Sequence, residues 1–137
     1  MKQTVVIADA DVKFRTELVT ALEGCEEFEV VGIAEDGAQA IQIITEKRPD
    51  ILVLDLLLPQ YDGLTVLRQL RGMWKRPKSL VTSAFISNYV AASAMRLGAQ
   101  QLLPKPCSVD VIIKNLQQMA NGEKGGSVIF LWNKKKR

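Results

Sequence analysis

The chain has 137 residues, 47% of them hydrophobic and 24% charged, with no histidine. That suits a single globular domain with its own core, and no apolar run approaches the roughly 20 residues of a membrane span. The missing histidine excludes histidine-based triads, most zinc sites and a phosphohistidine on this chain. The net charge is +3, but residues 1–62 hold 13 of the 15 acids and only 5 of the 18 basic residues. Between Asp62 and Asp110 there is no acid at all, and such asymmetry can mark an interaction face. The start, MKQTVVIADAD, carries no signal-peptide pattern, and Cys25 and Cys107 form no CxxC pair. The reading is a cytoplasmic protein with free thiols.

Along the chain, short apolar runs alternate with helix-period segments. Thr4–Asp9 is rich in β-branched residues and predicts a strand; Asp11–Leu22 follows, with Val12, Leu18, Val19 and Leu22 near helical spacing. Phe28–Glu35 reads as the second strand and Asp36–Arg48 as a helix capped by Asp36 and stopped by Pro49. Asp50–Asp55 is the third strand, and Thr65–Leu70 a helix behind the YDG turn, ended by Gly72. MWKRP reads as a loop, Ser79–Ala84 as the fourth strand, and the next helix closes at Gly98. Gln100–Leu103 is a short fifth strand, placed at an edge by Pro104 and Pro106. Ser108 caps a last helix with Val109, Ile112, Ile113, Leu116 and Met119 on one face. Five strand–helix repeats imply an α/β fold: a parallel sheet with helices on both faces and right-handed crossovers. The expected division is a domain over residues 1–120, then a linker and basic tail over 121–137.

In open α/β sheets, ligands bind beyond the carboxyl ends of the strands. Asp9 ends the first strand, with Asp11 just beyond; Asp55 ends the third; Ser83 lies near the end of the fourth; Lys105 follows the fifth. Clustered carboxylates repel unless a cation or proton intervenes, and an oxygen-rich site suits Mg²⁺. A lysine and a hydroxyl opposite a carboxylate–metal pair meet the needs of an incoming phosphoryl group. Asp55 is then the nucleophile, forming an aspartyl phosphate.

These residues, with the stretches VVIADAD, PDILVLDLLLPQYDGL and LVTSAF, resemble the response-regulator receiver domain of bacterial two-component systems, from about Thr4 to Ala120. The wording looks closest to the receiver of the stage 0 sporulation regulator subfamily. The resemblance implies a flavodoxin-like, CheY-like sheet of order 2-1-3-4-5. It implies Asp55 as phosphoacceptor, Ser83 as the switch hydroxyl and Lys105 as the signature lysine, followed by a cis peptide to Pro106. Asp9, Asp55 and the backbone carbonyl of Leu57 would hold Mg²⁺. It implies a signalling domain rather than an enzyme, served by a histidine kinase or phosphotransfer protein. A homodimer through Asn88–Leu97, Gln100–Leu103 and Ser108–Ala120, and a C-terminal DNA-binding effector outside this chain, are further expectations; no membrane partner is implied.

Two positions depart from the family pattern. Ala10 stands where the second acid of the metal-binding pair is usual, which weakens Mg²⁺ binding unless Asp11 reaches round; a cap on the first helix is the plainer role for Asp11. Leu102 stands where an aromatic switch residue is usual. A pseudo-receiver that docks a partner without phosphorylation is therefore an alternative. More remote is a haloacid-dehalogenase-type phosphatase using Asp9 and Asp11, which lacks the late acids such enzymes need. A flavodoxin-type module is disfavoured because Asp9 and Asp11 would repel a bound phosphate.

Overall fold

The computed structural model describes residues 2–122. Five strands, β1 (Gln3–Ala8), β2 (Phe28–Ala34), β3 (Ile51–Asp55), β4 (Lys78–Ser83) and β5 (Gln101–Pro104), form one parallel sheet of order β2-β1-β3-β4-β5. The helices between and after them are α1 (Val12–Glu23), α2 (Gly37–Lys47), α3 (Gly63–Leu70), α4 (Asn88–Arg96) and α5 (Val109–Ala120). This is the expected architecture, with β5 at an edge. Most boundaries move by one or two residues. One of these is the start of α3, which lies at Gly63 because the Asp62 carboxylate accepts from the Thr65 N–H at 2.8 Å and so caps it. The segment beyond Gly122, which includes most of the expected linker and all of the basic tail, lies outside the described residues.

The sheet separates two apolar clusters. Val6, Ala8, Leu52, Leu54 and Val81 face one side with α2, α3 and α4; Val5, Ile7, Val53, Leu80 and Leu103 face the other with α1 and α5. Consecutive strand residues thus pack on opposite sides, which explains why β3 is apolar up to Asp55: it is buried on both faces. On α1 the buried residues are Leu18, Leu22 and Arg15, whereas Val12 is exposed. The helical stripe is therefore rotated from the sequence expectation, and a charged residue occupies one of its inner positions.

The basic loop before β4 has a structural use. Lys75 Nζ donates to the Arg48 carbonyl at the end of α2 (3.0 Å), Arg76 to the Leu97 carbonyl closing α4, and Lys78 Nζ to the Met119 carbonyl in the last turn of α5 (3.0 Å). Three helix C-termini, each a negative dipole end, are held by cations from this loop and the first residue of β4. Gly98 follows α4 at φ +100°, where a side chain would also collide with the Arg76 guanidinium.

At the same end of the sheet, just before β3, Asp50 and Thr4 bind each other. The Asp50 carboxylate accepts from the Thr4 N–H (2.8 Å) and hydroxyl (3.0 Å), while the Asp50 N–H donates to the Thr4 hydroxyl (3.0 Å). The Thr4 N–H bond, with lesser help from the Thr4 hydroxyl and Lys75, holds the Asp50 carboxyl below its ordinary value of 3.8 despite some burial. A lowered carboxyl adds stability that is present above the unfolded value and lost as pH falls through the folded one. We expect Asp50→Ala to cost about 1–3 kcal/mol at pH 7. Denaturant titrations across pH should show the gap to the parent closing below about pH 4.

Candidate functional site at the carboxyl ends of the strands

Strand register assembles the site. Ala8 lies level with Leu54, Asp55 with Thr82, and Ser83 with Pro104. The residues at or just past those positions, Asp9, Asp55, Ser83 and Lys105, therefore meet at one end of the sheet, around the β1/β3 junction where the strand order reverses. The backbone fixes each of them. Asp9 N–H donates to the Ala34 carbonyl at 3.0 Å, and Lys105 N–H to the Ser83 carbonyl at 2.9 Å. The Lys105–Pro106 peptide is cis, as expected.

At the centre is one ammonium between two carboxylates. Lys105 Nζ is 2.6 Å from Asp9 Oδ2 and 2.9 Å from Asp55 Oδ2. Asp9 is only 2% exposed and Asp55 is also buried. Their other oxygens accept backbone bonds: the Asp11 N–H reaches Asp9 Oδ1 and the Leu57 N–H reaches Asp55 Oδ1, each at 2.9 Å. Burial pushes the Asp9 carboxyl above its ordinary value, outweighing the Lys105 and Asp11 hydrogen bonds. Burial opposes the charged form of Lys105 too, but the bonds to Asp9 and Asp55 prevail and its value is raised.

The remaining expected residues fall nearby. The Asp11 carboxylate accepts from the N–H groups of Lys13 (3.0 Å) and Phe14 (3.3 Å), so it caps α1. Ser83 is buried; its hydroxyl donates to the Phe85 carbonyl at 2.9 Å and accepts from the Phe85 N–H at 3.2 Å. Leu102 is packed in the α2–α3–α4 side of the core, with no ring at that position. Ala10 contributes no side-chain donor. Asp9 and Asp55 are thus the two carboxylates available to a hard cation, and no group of three or more acidic, histidine or cysteine side chains is gathered among the described residues. Mg²⁺ is commonly held by one or two carboxylates completed by water and substrate phosphate, so the pair fits it in kind.

Two contacts were not foreseen. The Phe14 ring faces the Lys105 ammonium, 4.6 Å from nitrogen to centroid. Arg15, 7% exposed, donates from Nη1 to the Asp9 carbonyl at 2.6 Å. Arg15 could have been found from the sequence, as a charge at the spacing of Leu18 and Leu22. The partnership of Phe14 with a residue on the far side of the chain leaves no local signal. Cys25 and Cys107 are free thiols, as expected. Trp74 is packed face-on by the Arg48 guanidinium at 5.3 Å and is otherwise open to solvent. No helix among the described residues is long and apolar enough to cross a membrane.

Comparison with known proteins agrees with this geometry. The family model for the response regulator receiver domain matches residues 5–117. The signal receiver domain of the response regulator NarL from Mycobacterium tuberculosis is 32% identical, with a TM-score of 0.82 over 89% of this chain and 98% of that one. Two lower-identity structures share the fold. The isolated receiver domain of RcsB from Salmonella enterica serovar Typhimurium, solved with a beryllofluoride phosphomimetic, has 21% identity and a TM-score of 0.81 over 90% and 92% of the two chains. A CheY-like receiver domain protein from Methanospirillum hungatei has 18% identity and a TM-score of 0.82 over 89% and 96%. The chain belongs to the response regulator receiver domain family, the phosphoacceptor domains of two-component signalling.

Proposed function

We propose that Asp55 is the phosphoacceptor, with Lys105 and Ser83 as its partners and Asp9 as the second carboxylate of the site. The observation that carries this is the Lys105 ammonium bridging Asp9 and Asp55 at 2.6 and 2.9 Å. In the reaction, an Asp55 carboxylate oxygen attacks the phosphorus of a phosphohistidine on a kinase or phosphotransfer protein. The O–P bond forms, the N–P bond breaks, and the departing imidazole takes a proton. Lys105 releases Asp55 and follows the negative charge onto a phosphoryl oxygen. Ser83 turns from Phe85 to donate to another. Asp9, Asp55 and the Leu57 carbonyl would hold Mg²⁺, which supplies neutralising charge to the phosphoryl oxygens.

Within the family, the 32% identity to a NarL receiver supports kinship on that side, whereas the stage 0 sporulation likeness rests on wording alone. A DNA-binding effector as output partner and a cytoplasmic location follow from the two-component reading. The output surface we assign to α4, β5 and α5, where Phe85 and Tyr89 are exposed at the start of α4 and Met95 and Val111 further along. Incubation with acetyl phosphate and Mg²⁺ should label Asp55 alone, and Asp55→Asn should abolish incorporation. Label that survives this substitution would refute the assignment.

Ala10 leaves the metal site one carboxylate short. Ala10→Asp should tighten Mg²⁺ binding, read by tryptophan fluorescence or NMR. It should also destabilise the metal-free protein, since a third carboxylate crowds Asp9 and Asp55. Equal Mg²⁺ affinity in parent and variant would show that the substituted position does not face the ion.

The absences at Ala10 and Leu102 favour a second reading, a docking module that works without phosphorylation. Sedimentation with and without beryllofluoride and Mg²⁺ separates the two. The weakened switch leads us to expect a dimer fraction that changes little. A clean monomer-to-dimer conversion would remove the docking-only reading.

A further inference from the structure

We propose that Phe14 is a positioning residue for Lys105, so that an aromatic ring as well as two carboxylates fixes the ammonium over the phosphoacceptor. The inference rests on the assignment of Asp55 above.

An ammonium has three donors, and two of those of Lys105 go to Asp9 Oδ2 and Asp55 Oδ2. The Phe14 ring lies 4.6 Å from the nitrogen, within reach of a cation–π attraction. The ring itself is anchored. Asp11 caps the first turn of α1 and accepts from the Phe14 N–H at 3.3 Å. The Asp11 N–H bonds Asp9 Oδ1 at 2.9 Å, and Arg15 Nη1 bonds the Asp9 carbonyl at 2.6 Å. The turn that carries Phe14 is therefore fastened to the carboxylate that Lys105 binds. Phe14 also packs against the apolar cluster beneath α1 and α5, and with Ala84, Pro106 and Cys107 it walls a cavity of about 250 Å³ beside the lysine. Lys105 lines the same cavity, so a smaller side chain in place of the ring would widen it beside the lysine.

The chemical reason for a ring is the exchange that phosphoryl transfer demands. Lys105 must leave Asp55 for a phosphoryl oxygen while staying at the site. A hydrogen bond is directional and must break for this. Attraction to the ring depends on charge and distance, so it persists while the donors change partners.

The full 137-residue chain is compared with Phe14→Leu, which keeps apolar bulk, and Phe14→Tyr, which keeps a ring. In lysine-labelled protein, the Lys105 ε-methylene protons, identified by their loss in Lys105→Met, should be shifted upfield by the ring. That shift should vanish in Phe14→Leu and remain in Phe14→Tyr. With acetyl phosphate, Phe14→Leu should lower the maximal labelling rate about two- to tenfold at similar half-saturation, and Phe14→Tyr should recover most of it. Thermal unfolding of each variant removes any loss due to a smaller folded fraction. An unshifted Lys105 in the parent, or a Phe14→Leu shift equal to the parent's, overturns the proposal; so does a rate loss no larger than the loss of folded protein. A parent that takes no label while its Lys105 shift depends on the ring would count against the Asp55 assignment and leave Phe14 as the holder of Lys105.

Discussion

One ammonium between two buried carboxylates is the constraint on which the site depends. Asp9 and Asp55 sit at the ends of adjacent strands, and parallel pairing of β1 with β3 places them side by side whatever their charge. Unpaired, two such carboxylates would be forced toward protonation. Lys105 makes the arrangement tolerable, and it can do so because β5 pairs with β4 in a register that sets Pro104 level with Ser83. The ion pairs therefore bind the two halves of the sheet at its functional end. Their net contribution to stability is small, since desolvating three charged groups offsets most of the attraction. Their consequence is specificity of position: in the proposed reaction, a phosphoryl group arriving at Asp55 meets a cation already in place.

The opposite end of the molecule is held by the same physics. At the carboxyl ends of the strands a cation gathers anionic side chains. At the amino ends, Lys75, Arg76 and Lys78, which lead into β4, gather the carbonyls that finish α2, α4 and α5. The uneven charge distribution of the sequence, with no acid between Asp62 and Asp110, finds part of its explanation here. Lys75, Arg76 and Lys78 act within the fold, and an acid among them would compete for their donors. What the composition suggested as an interaction face is, at this loop, a structural bracket.

The fold was legible because its signals are local. β-branched runs, caps at Asp36 and Ser108, and Gly98 after α4 each state an element boundary in a few residues, and their alternation implies a parallel sheet. The meeting of Asp9, Asp55 and Lys105 at one end of the sheet was legible for a related reason: a charge at the end of a buried strand is conspicuous. Arg15 stands at the spacing of Leu18 and Leu22 but, as a charge, was not counted with them, and Phe14 escaped because helical spacing alone does not fix rotation about the axis. Val12 looked like a core residue, yet α1 turns it outward and places Arg15 inward. Only the tertiary docking of α1 on the end of β1, through the Asp9 carboxylate and carbonyl, sets that rotation. Phe14 follows from it, as does its meeting with a lysine that the chain delivers after four further strands.

The switch is the part of the site that the sequence described least well, because it depends on which partner a hydroxyl chooses. Ser83 both donates to and accepts from the Phe85 peptide, so its two hydrogen bonds close a small loop between β4 and α4. Neutral bonds of this kind are worth about 1 kcal/mol each, and a charge-assisted bond to a phosphoryl oxygen roughly twice one of them. In the proposed reaction the exchange is then nearly balanced, and its consequence falls on the Phe85 segment. With Leu102 already filling the core at the usual aromatic position, no buried slot is vacated for a ring to enter. The displaced segment carries its own ring instead: Phe85 is exposed in the loop that leads into α4, as Tyr89 is in the first turn of that helix. A near-balanced hydroxyl exchange can still change a surface when the residue it releases lies on that surface, and on the proposed assignment Phe85 is the connection between Ser83 and the start of α4.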